Sequence, residues 1–204
     1  MENILFLGSK SQARHQLLKE SQIPFVLVNQ DADESQCEYG TTLRESVTNI
    51  ALHKMKHVIL PDGEEGDICF VLTADTLTEN SDGTIVGKPI DRNDAIEKIK
   101  TARGGARVGT AFCLDKKVYR SGKWKPFKRI QKYIDAAYQL DIPDKWIDIY
   151  LEKSFGFSSS GAIAIEGYGA QFLKTIHGSH STIVGLPMFE LREALQELDF
   201  FENL

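Results

Sequence analysis

The sequence predicts an α/β fold in which helices flank a mixed central β-sheet and two lobes enclose a cleft. Three observations predict it. Short apolar runs, such as residues 4–7, stop at small polar residues and lead into segments with helical periodicity. A β-prone run at residues 68–73 is followed by a Ser-Asp-Gly turn between two short β-like pieces. A basic segment at residues 115–132 has the pattern of a hairpin.

The first half of the chain alternates predicted strands and helices. In chain order these are a strand at residues 4–7, a helix from about Ser11, a strand at residues 24–28, a helix at residues 43–57 and a strand at residues 68–73. The last of these strands is predicted to end at Ala74-Asp75-Thr76. This order of elements is typical of α/β proteins.

The second half is predicted to mix hairpins with helices. Its first predicted elements are a hairpin around Ser81-Asp82-Gly83, a helix from Asp91 to before Gly104 and a strand at residues 107–114. The basic hairpin and a short helix opened by Ile142-Pro143 follow. The last elements are two strands within residues 162–176, broken at Gly167 and Gly169, and a helix after Pro187. The sequence has no repeat or flexible linker, so residues 1–204 are predicted to form a single domain with two lobes. A cleft between the lobes is the expected ligand site.

Composition limits the classes of function. The chain has 204 residues, of which 42% are apolar, so a sizeable core can be buried. Its formal net charge of -5 gives no general affinity for nucleic acid. Cys37, Cys69 and Cys113 are odd in number and far apart, which predicts neither a disulfide framework nor a zinc site. We expect a cytoplasmic protein, because no run has the length of a membrane span and the N-terminus lacks a signal-peptide pattern.

A first group of polar residues lies between a predicted strand and the helix that follows it. In Gly8-Ser9-Lys10-Ser11-Gln12-Ala13-Arg14 the first turn of the helix offers unpaired backbone N–H groups, which can cradle a phosphate. Ser9 and Ser11 can add hydroxyl donors, and Arg14 can hold two phosphate oxygens. Alternatively, Ser11 only caps the helix and Arg14 is solvated. The segment lacks the Gly-Lys-Ser/Thr ending of a Walker loop.

Asp75 is the second candidate. Placed at the carboxyl end of an apolar strand, it would lie where α/β clefts usually open. There it could ligate Mg²⁺ or activate water, with Glu34 as a second metal-binding carboxylate, since Mg²⁺ needs few protein ligands besides waters and phosphates. Alternatively, Asp75 simply ends a strand in a turn.

Two lysines complete the candidate site. Lys88 stands in Gly87-Lys88-Pro89 after the predicted hairpin, and Lys54 lies in the second helix. Each could face a polyphosphate as a point charge. Each could equally be a solvated surface residue.

Five segments, taken in order, resemble the Maf family, which shares its architecture with the inosine triphosphate pyrophosphatases. They are LGSKSQAR at residues 7–14, Asp33-Glu34, ALHK at residues 51–54, Ala74-Asp75-Thr76 followed by Gly87-Lys88-Pro89, and residues 161–187 with their IEG, GSHS and VGLP motifs. The resemblance covers nearly the whole chain. It implies the fold of that family and hydrolysis of a nucleoside triphosphate to the monophosphate and pyrophosphate, with Mg²⁺ or Mn²⁺.

The resemblance also implies roles for single residues. Ser9, Arg14, Lys54 and Lys88 fall at phosphate-binding positions, Glu34 at a metal or phosphate position, and Asp75 at the acid-base position. A serine-helix cradle, three cations and metal-binding carboxylates suffice for chemistry that is mainly positioning and charge neutralisation.

Some positions depart from the family pattern. Ala13 stands where the family has a cation, and Ser159 and Glu166 replace a lysine and a glutamine. Glu166 favours a guanine-type base, since a carboxylate only accepts hydrogen bonds and guanine offers adjacent N–H donors. Thr76, in contrast, resembles the branch that acts on pyrimidine nucleotides. These changes leave a second hypothesis open, a nucleotide-binding regulator that has lost catalysis.

A third hypothesis is a protein that binds single-stranded nucleic acid. Residues 116–132 contain eight basic residues with Tyr119, Trp124 and Phe127 among them. A solvated hairpin whose aromatic rings turn to the core is the alternative, and we consider nucleic acid an unlikely partner. His177 and His180 on a predicted loop are no metal signature. The sequence leaves a homodimer open.

Overall fold

A computed structural model describes residues 3–33, 37 and 40–202 of the chain. In this part the strands are β1 (Leu5–Leu7), β2 (Phe25–Leu27), β3 (Ile68–Asn80), β4 (Ile85–Val86), β5 (Ala106–Arg120), β6 (Lys123–Leu140) and β7 (Leu173–His177). The α-helices are α1 (Gln12–Glu20), α2 (Leu43–Lys56), α3 (Arg92–Ala102), α4 (Asp144–Lys153), α5 (His180–Val184) and α6 (Met188–Glu197).

The strands form one mixed sheet in the order β2-β1-β3-β5-β6-β7, with β4 paired to β3. Strand β1 runs parallel to β2 and β3, because α1 and α2 carry the chain back between them. The later strands are antiparallel to their neighbours. The predicted α/β class with a mixed, helix-flanked sheet is confirmed.

Side chains of the central strands alternate between two helical layers. Phe70 and Leu72 of β3 belong to the core cluster that also contains Leu195 of α6. Cys69 and Val71, one residue out of phase, pack in the cluster of Met55 from α2. The sheet is therefore buried on both faces, with α1 and α6 on one side and α2 on the other.

A second large cluster lies towards the other end of β5 and β6. It joins Ile99 of α3, Tyr138 of β6, and Ile147 and Tyr150 of α4. No helix within the described ranges is both long and apolar enough to cross a bilayer.

Strand β3 is longer than predicted. The expected end at Ala74-Asp75-Thr76 is wrong, since the ladder with β5 continues to Asn80. Its polar residues Thr73 and Asp75 are buried and find their partners on α2. For example, the Thr73 hydroxyl donates to the Ala51 carbonyl of α2 at 2.8 Å. Asp75 therefore lies within β3, not at its carboxyl end.

Of the two strands predicted within residues 162–176, the second is present as β7 and the first is wrong. The structure has 3-10 turns at Ser160–Ala162 and Gly167–Phe172, and residues 163–166 between them pair with no described strand. Gly169 packs so tightly that a Cβ atom would overlap the Ala164 carbonyl. The Ala164 N–H donates to the Tyr150 hydroxyl at 2.7 Å. This segment is thus fixed by packing on α4 and not by pairing in the sheet.

One ion pair in the sheet has a fully buried carboxylate, while its arginine reaches the surface. Asp115 of β5 has no solvent exposure, and its two oxygens accept from Arg129 of β6 at 2.6 and 2.7 Å. The Lys117 ammonium lies 3.6 Å from the same carboxylate. A carboxylate held in this way depends on its partners, because removal of one partner leaves a charge out of water.

We expect Arg129→Ala to lower the free energy of unfolding by about 3 kcal/mol, because the buried Asp115 carboxylate would keep only the Lys117 ammonium at 3.6 Å. Urea denaturation measures this change. Lys128→Ala is the control, since Lys128 pairs with Glu197 at an exposed position and should cost about 1 kcal/mol at most. Equal effects of the two changes would contradict the structural role of Asp115.

Candidate active site

A cavity of about 300 Å³ opens beside the middle of β3. It is lined by residues of α1, α2, β3, β5, β6 and α5, together with the segments around Lys88 and residues 155–166. A cavity of this size falls at the lower end of the range for small-molecule sites.

The position of the cavity follows from a gap in the sheet. Strand β1 pairs with β3 only at Phe70–Leu72, and β4 pairs with it again only at residues 78–79. Within the described part of the chain, no strand covers residues 73–77 on that side. Side chains from both faces of β3 can therefore reach one opening, which is why the neighbours Asp75 and Thr76 both line the cavity.

Asp75 forms a buried ion pair with Lys54. The Lys54 ammonium lies 2.6 Å from Asp75 Oδ1, and the two residues are 8% and 7% exposed. Helix α2 carries Lys54 along the face of β3, where the bond from Thr73 to Ala51 fixes the helix. This pair places an acceptor for a proton next to a cation in a largely dehydrated site.

Arg14 is the second buried cation, and its guanidinium faces the cavity from α1. It donates to the Gly185 carbonyl at 2.6 Å, to the Ser9 hydroxyl at 3.1 Å and to the Thr76 hydroxyl at 2.8 Å. The alternative of a solvated Arg14 is wrong, because only 7% of the residue is exposed. Arg14 joins the helix cradle to β3 and to the end of α5.

A chain of hydroxyls continues from Arg14 into the sheet. The Thr110 hydroxyl donates to the Thr182 carbonyl at 2.8 Å, so the Thr76 hydroxyl must donate to Thr110 at 2.9 Å. Thr76 also accepts from Arg14, which leaves it one lone pair and no donor. A threonine whose proton is committed in this way serves chiefly to orient Arg14.

Lys88 also lines the cavity, in the segment that follows β4. Its segment is tied to the 3-10 turns, since the Gly161 N–H donates to the Gly87 carbonyl at 3.0 Å and the Ser160 hydroxyl to the Val86 carbonyl at 2.7 Å. Gly161 has φ of 64° and packs on Thr78, so a side chain there would be strained. Residues 158–160 therefore form one wall together with Lys88.

The remaining wall is mostly apolar. We call it the apolar wall, and it consists of Val108, Tyr138, Ile163, Ile183 and Val184, all members of the second core cluster or packed against it. Glu166 joins it at the cavity. Burial raises the pKa of the Glu166 carboxyl, an effect that hydrogen bonds from backbone N–H groups and the nearby His180 partly oppose.

The structure brings most of the predicted site residues together. Those that line this one cavity are Ser11, Ala13, Arg14, Lys54, Asp75, Thr76, Lys88, Ser159 and Glu166. Ser9 lies behind the wall, where its hydroxyl accepts from Arg14. Ser11 also caps α1, as one alternative stated, by accepting from the Arg14 N–H at 3.4 Å. Glu34 lies outside the described residues. The roles of all these residues stay predictions.

Sequence reasoning missed Tyr138, Ile163 and Ile183 of the cavity wall. An apolar or aromatic residue in a strand has no signal that separates a cavity wall from a closed core. Only the contacts between distant segments show which surface of the core stays open.

Few side chains of the described cavity could coordinate a metal ion. No group of three His, Cys, Asp or Glu side chains converges in the ranges that the structure describes. Asp75 supplies carboxylate oxygens in the cavity, of which Oδ1 is engaged by Lys54. This set fits Mg²⁺ or Mn²⁺, which take few protein oxygens and complete their shells with water and phosphate. It does not fit zinc, which prefers three or four nitrogen or sulfur ligands.

Half of the basic residues of the hairpin are engaged within the molecule. Of its eight basic residues, four are paired with carboxylates, namely Lys116, Lys117, Lys128 and Arg129. Trp124 packs edge-on against Tyr119 and donates to the Pro61 carbonyl at 2.8 Å. Phe127 is the exception among the three aromatic residues, with 67% of its surface exposed.

Comparison with known proteins finds one family model and several relatives that match nearly the whole chain. A family model described as "Maf-like protein" matches residues 4–198. The dTTP/UTP pyrophosphatase of Acholeplasma laidlawii is 32% identical over 206 residues, covering 98% of this chain and all of the relative. The dTTP/UTP pyrophosphatase of Ruminiclostridium cellulolyticum is 30% identical over 203 residues, covering 98% and 97%. A nucleoside triphosphate pyrophosphatase of Trichormus variabilis is 30% identical over 198 residues, covering 95% and 93%.

The raised pKa of Glu166 predicts how stability depends on pH. Below the pKa of an unfolded glutamate, about 4.3, both states are protonated and the group has no effect. As pH rises from there towards the folded pKa, the unfolded chain ionises more readily, so Glu166 costs stability. Glutamine at this position does not titrate. We therefore expect Glu166→Gln to raise the melting temperature at pH 7.5 and to lose that advantage near pH 4.

Melting curves between pH 4 and pH 8 measure this difference. Glu152→Gln, at an exposed position of α4, controls for the loss of one negative charge. A gain that stays constant over the whole pH range would show that burial of the carboxylate is not its cause.

Proposed function

This chain belongs to the Maf family, and from that premise we propose that it hydrolyses a free nucleoside triphosphate to the monophosphate and pyrophosphate. The observation that carries the proposal is the arrangement of one cavity with Arg14, Lys54, Asp75 and Lys88 in its charged part and an apolar wall beside them. Such a division suits a ligand with a polyphosphate at one end and a base at the other. The names of the relatives, dTTP/UTP pyrophosphatase and nucleoside triphosphate pyrophosphatase, support it.

The cations hold and neutralise the triphosphate. Lys88 and Lys54 both line the cavity, so each can bind a triphosphate there as a point charge. The first turn of α1, with Ser11 at its cap, supplies N–H groups and the positive end of the helix dipole. Arg14 keeps this turn fixed against β3 and α5.

Hydrolysis between the α- and β-phosphates needs a water, a proton acceptor and a stabilised leaving group. The water oxygen forms a bond to the α-phosphorus, the bond from that phosphorus to the bridging oxygen breaks, and pyrophosphate leaves with the bonding electrons. We assign the acceptance of the water proton to Asp75. Lys54, at 2.6 Å from Asp75, holds the carboxylate in place and offsets its charge beside the phosphates.

A divalent ion is part of the proposal. Asp75 and Glu34 are the residues that would hold Mg²⁺ or Mn²⁺, and Glu34 lies outside the described residues. When bound, such an ion neutralises the charge of the phosphates and of the leaving pyrophosphate. The side chains of the cavity supply binding, orientation and the proton acceptor.

A panel of triphosphates tests the activity. Canonical and base-modified nucleoside triphosphates are incubated with the full chain and Mg²⁺ or Mn²⁺, and pyrophosphate and monophosphate are quantified. Equal amounts of the two products support cleavage between the α- and β-phosphates. Release of orthophosphate contradicts it. Nucleotide binding without any product supports the alternative of a regulator, which the absence of a cation at Ala13 keeps open.

We expect Asp75→Asn to lower kcat by about two to four orders of magnitude, the scale for loss of a positioned acid-base group. An amide has nearly the shape of the carboxylate but cannot accept the proton, so binding of a nonhydrolysable triphosphate should change little. Steady-state kinetics and calorimetry measure the two effects. Asp148→Asn, at an exposed ion pair of α4, is the control. An unchanged kcat would remove Asp75 from the mechanism.

We expect Lys88→Ala to raise KM about tenfold or more, because one charged contact to phosphate contributes on the order of 1.5–3 kcal/mol. The effect should be the same for every base, since Lys88 contacts no part of the base in this proposal. Initial rates at varied triphosphate concentration measure it. Lys125→Ala, on the exposed face of β6, controls for net charge. A loss confined to one base would place Lys88 elsewhere in the complex.

A further inference from the structure

Thr110 is a fully buried threonine of β5 that lies behind the cavity wall. The residue has no solvent exposure and does not line the cavity, whereas its cross-strand partner Thr76 does. The two residues stand directly opposite each other in β3 and β5, so their side chains leave the sheet on the same face. A buried hydroxyl is costly unless it is hydrogen-bonded. The contacts of the Thr110 hydroxyl therefore decide what this residue does.

The way in which α5 ends supplies an acceptor for the Thr110 proton. In a continuing helix the Leu186 N–H would donate to the Thr182 carbonyl. Gly185, with φ of 119°, turns the chain instead, and the Leu186 N–H donates to the Ser181 carbonyl at 2.9 Å. The Thr182 carbonyl accepts from the Thr110 hydroxyl at 2.8 Å. This bond joins the end of α5 to the sheet.

The Thr182 carbonyl fixes the direction of two hydroxyl protons. A carbonyl oxygen only accepts, so the single proton of Thr110 points at Thr182. The Thr76 hydroxyl, 2.9 Å from that of Thr110, must then donate to it. Thr76 thereby turns a lone pair, and not its proton, towards Arg14 Nη2 at 2.8 Å. Without the Thr110 oxygen, the Thr76 hydroxyl is free to rotate and to direct its proton at the guanidinium, which is itself a donor.

Thr76 is one of three contacts that fix the Arg14 guanidinium. Each nitrogen of this group donates a hydrogen bond, Nε to the Gly185 carbonyl, Nη1 to the Ser9 hydroxyl and Nη2 to the Thr76 hydroxyl. A planar group held at all three nitrogens keeps a single orientation. Orientation matters for an arginine at a phosphate site, because its donors form a rigid fork that must match the phosphate oxygens.

We propose that Thr110 is a positioning residue, which orients Arg14 towards the phosphates of the substrate by way of Thr76. This inference rests on the proposed function, whose phosphate site it deepens. The competing interpretation is that Thr110 only ties β5 to α5. The two interpretations differ in kinetics. Loss of a structural tie lowers the folded fraction, and with it the apparent kcat, whereas a misoriented Arg14 weakens phosphate binding and raises KM.

The experiment compares two substitutions of Thr110. Thr110→Val nearly keeps the shape and removes the hydroxyl, and Thr110→Ser keeps the hydroxyl and removes a methyl group. Initial rates with UTP and Mg²⁺ give kcat and KM. Inhibition by inorganic tripolyphosphate measures the binding of phosphates without a base. Ser46→Ala is the matched control, because the buried Ser46 hydroxyl also donates to a backbone carbonyl, that of Thr42 at 2.9 Å, and Ser46 does not line the cavity.

We expect Thr110→Val to raise the KM for UTP and the inhibition constant of tripolyphosphate by about tenfold each, the scale of one lost polar contact, with kcat nearly unchanged. Thr110→Ser should keep the wild-type values. Thr110→Val and Ser46→Ala should both lower the melting temperature, but only Thr110→Val should raise KM. In a Thr76→Val background, Thr110→Val should change KM by less than about twofold, because the link to Arg14 is already broken.

Two results overturn the proposal. One is a Thr110→Val variant that keeps the wild-type KM and inhibition constant, whatever its kcat. The other is an effect of Thr110→Val on KM that persists in full in the Thr76→Val background. If UTP is not cleaved, calorimetry with tripolyphosphate and α,β-methylene UTP decides separately. A tenfold loss of affinity in Thr110→Val that Thr110→Ser restores supports the orientation of Arg14 although the proposed hydrolysis fails. Unchanged affinities overturn it, as does a wild-type chain that binds neither compound.

Discussion

The organisation of this protein depends on how β3 satisfies its buried polar residues. Thr73 and Asp75 are buried in this strand, where an unpaired polar group would be costly, and Thr76 beside them is half-buried. Each finds its partner on a different neighbour, namely the Ala51 carbonyl of α2, the Lys54 ammonium and the Arg14 guanidinium. These contacts fix α1 and α2 against the sheet. The same contacts place the cations around the gap beside β3, so folding and assembly of the candidate site are one process.

The sequence was informative where local chemistry decides structure. The caps at Ser11 and Asp91 mark the starts of α1 and α3, and each bond is present. Sequence-based prediction was wrong where contacts between distant segments decide the structure. The polar run in β3 looked like a turn because its partners are 21 or more residues away. Residues 162–172 looked extended because nothing local shows that they pack on Tyr150.

The same division holds for the candidate site. The charged residues Asp75 and Lys88 could be predicted because their motifs, taken in order, resemble those of the Maf family. Tyr138 could not, because nothing local shows that this strand residue lines a cavity. The raised pKa of Glu166 marks a group whose burial opposes stability in the free protein. Groups that are poorly satisfied in the free protein are suited to a ligand, because binding can supply the contact that folding leaves unmade.

The charges of the cavity's side chains can be compared with the negative charge of a triphosphate. Its described lining contains three cationic side chains, Arg14, Lys54 and Lys88, against two acidic ones, Asp75 and Glu166. Lys54 is already paired with Asp75, and Arg14 donates to Gly185, Ser9 and Thr76. Ala13 adds no charge where the family pattern has a cation. The side chains alone therefore leave most of a triphosphate's negative charge uncompensated, which supports our proposal of a divalent ion.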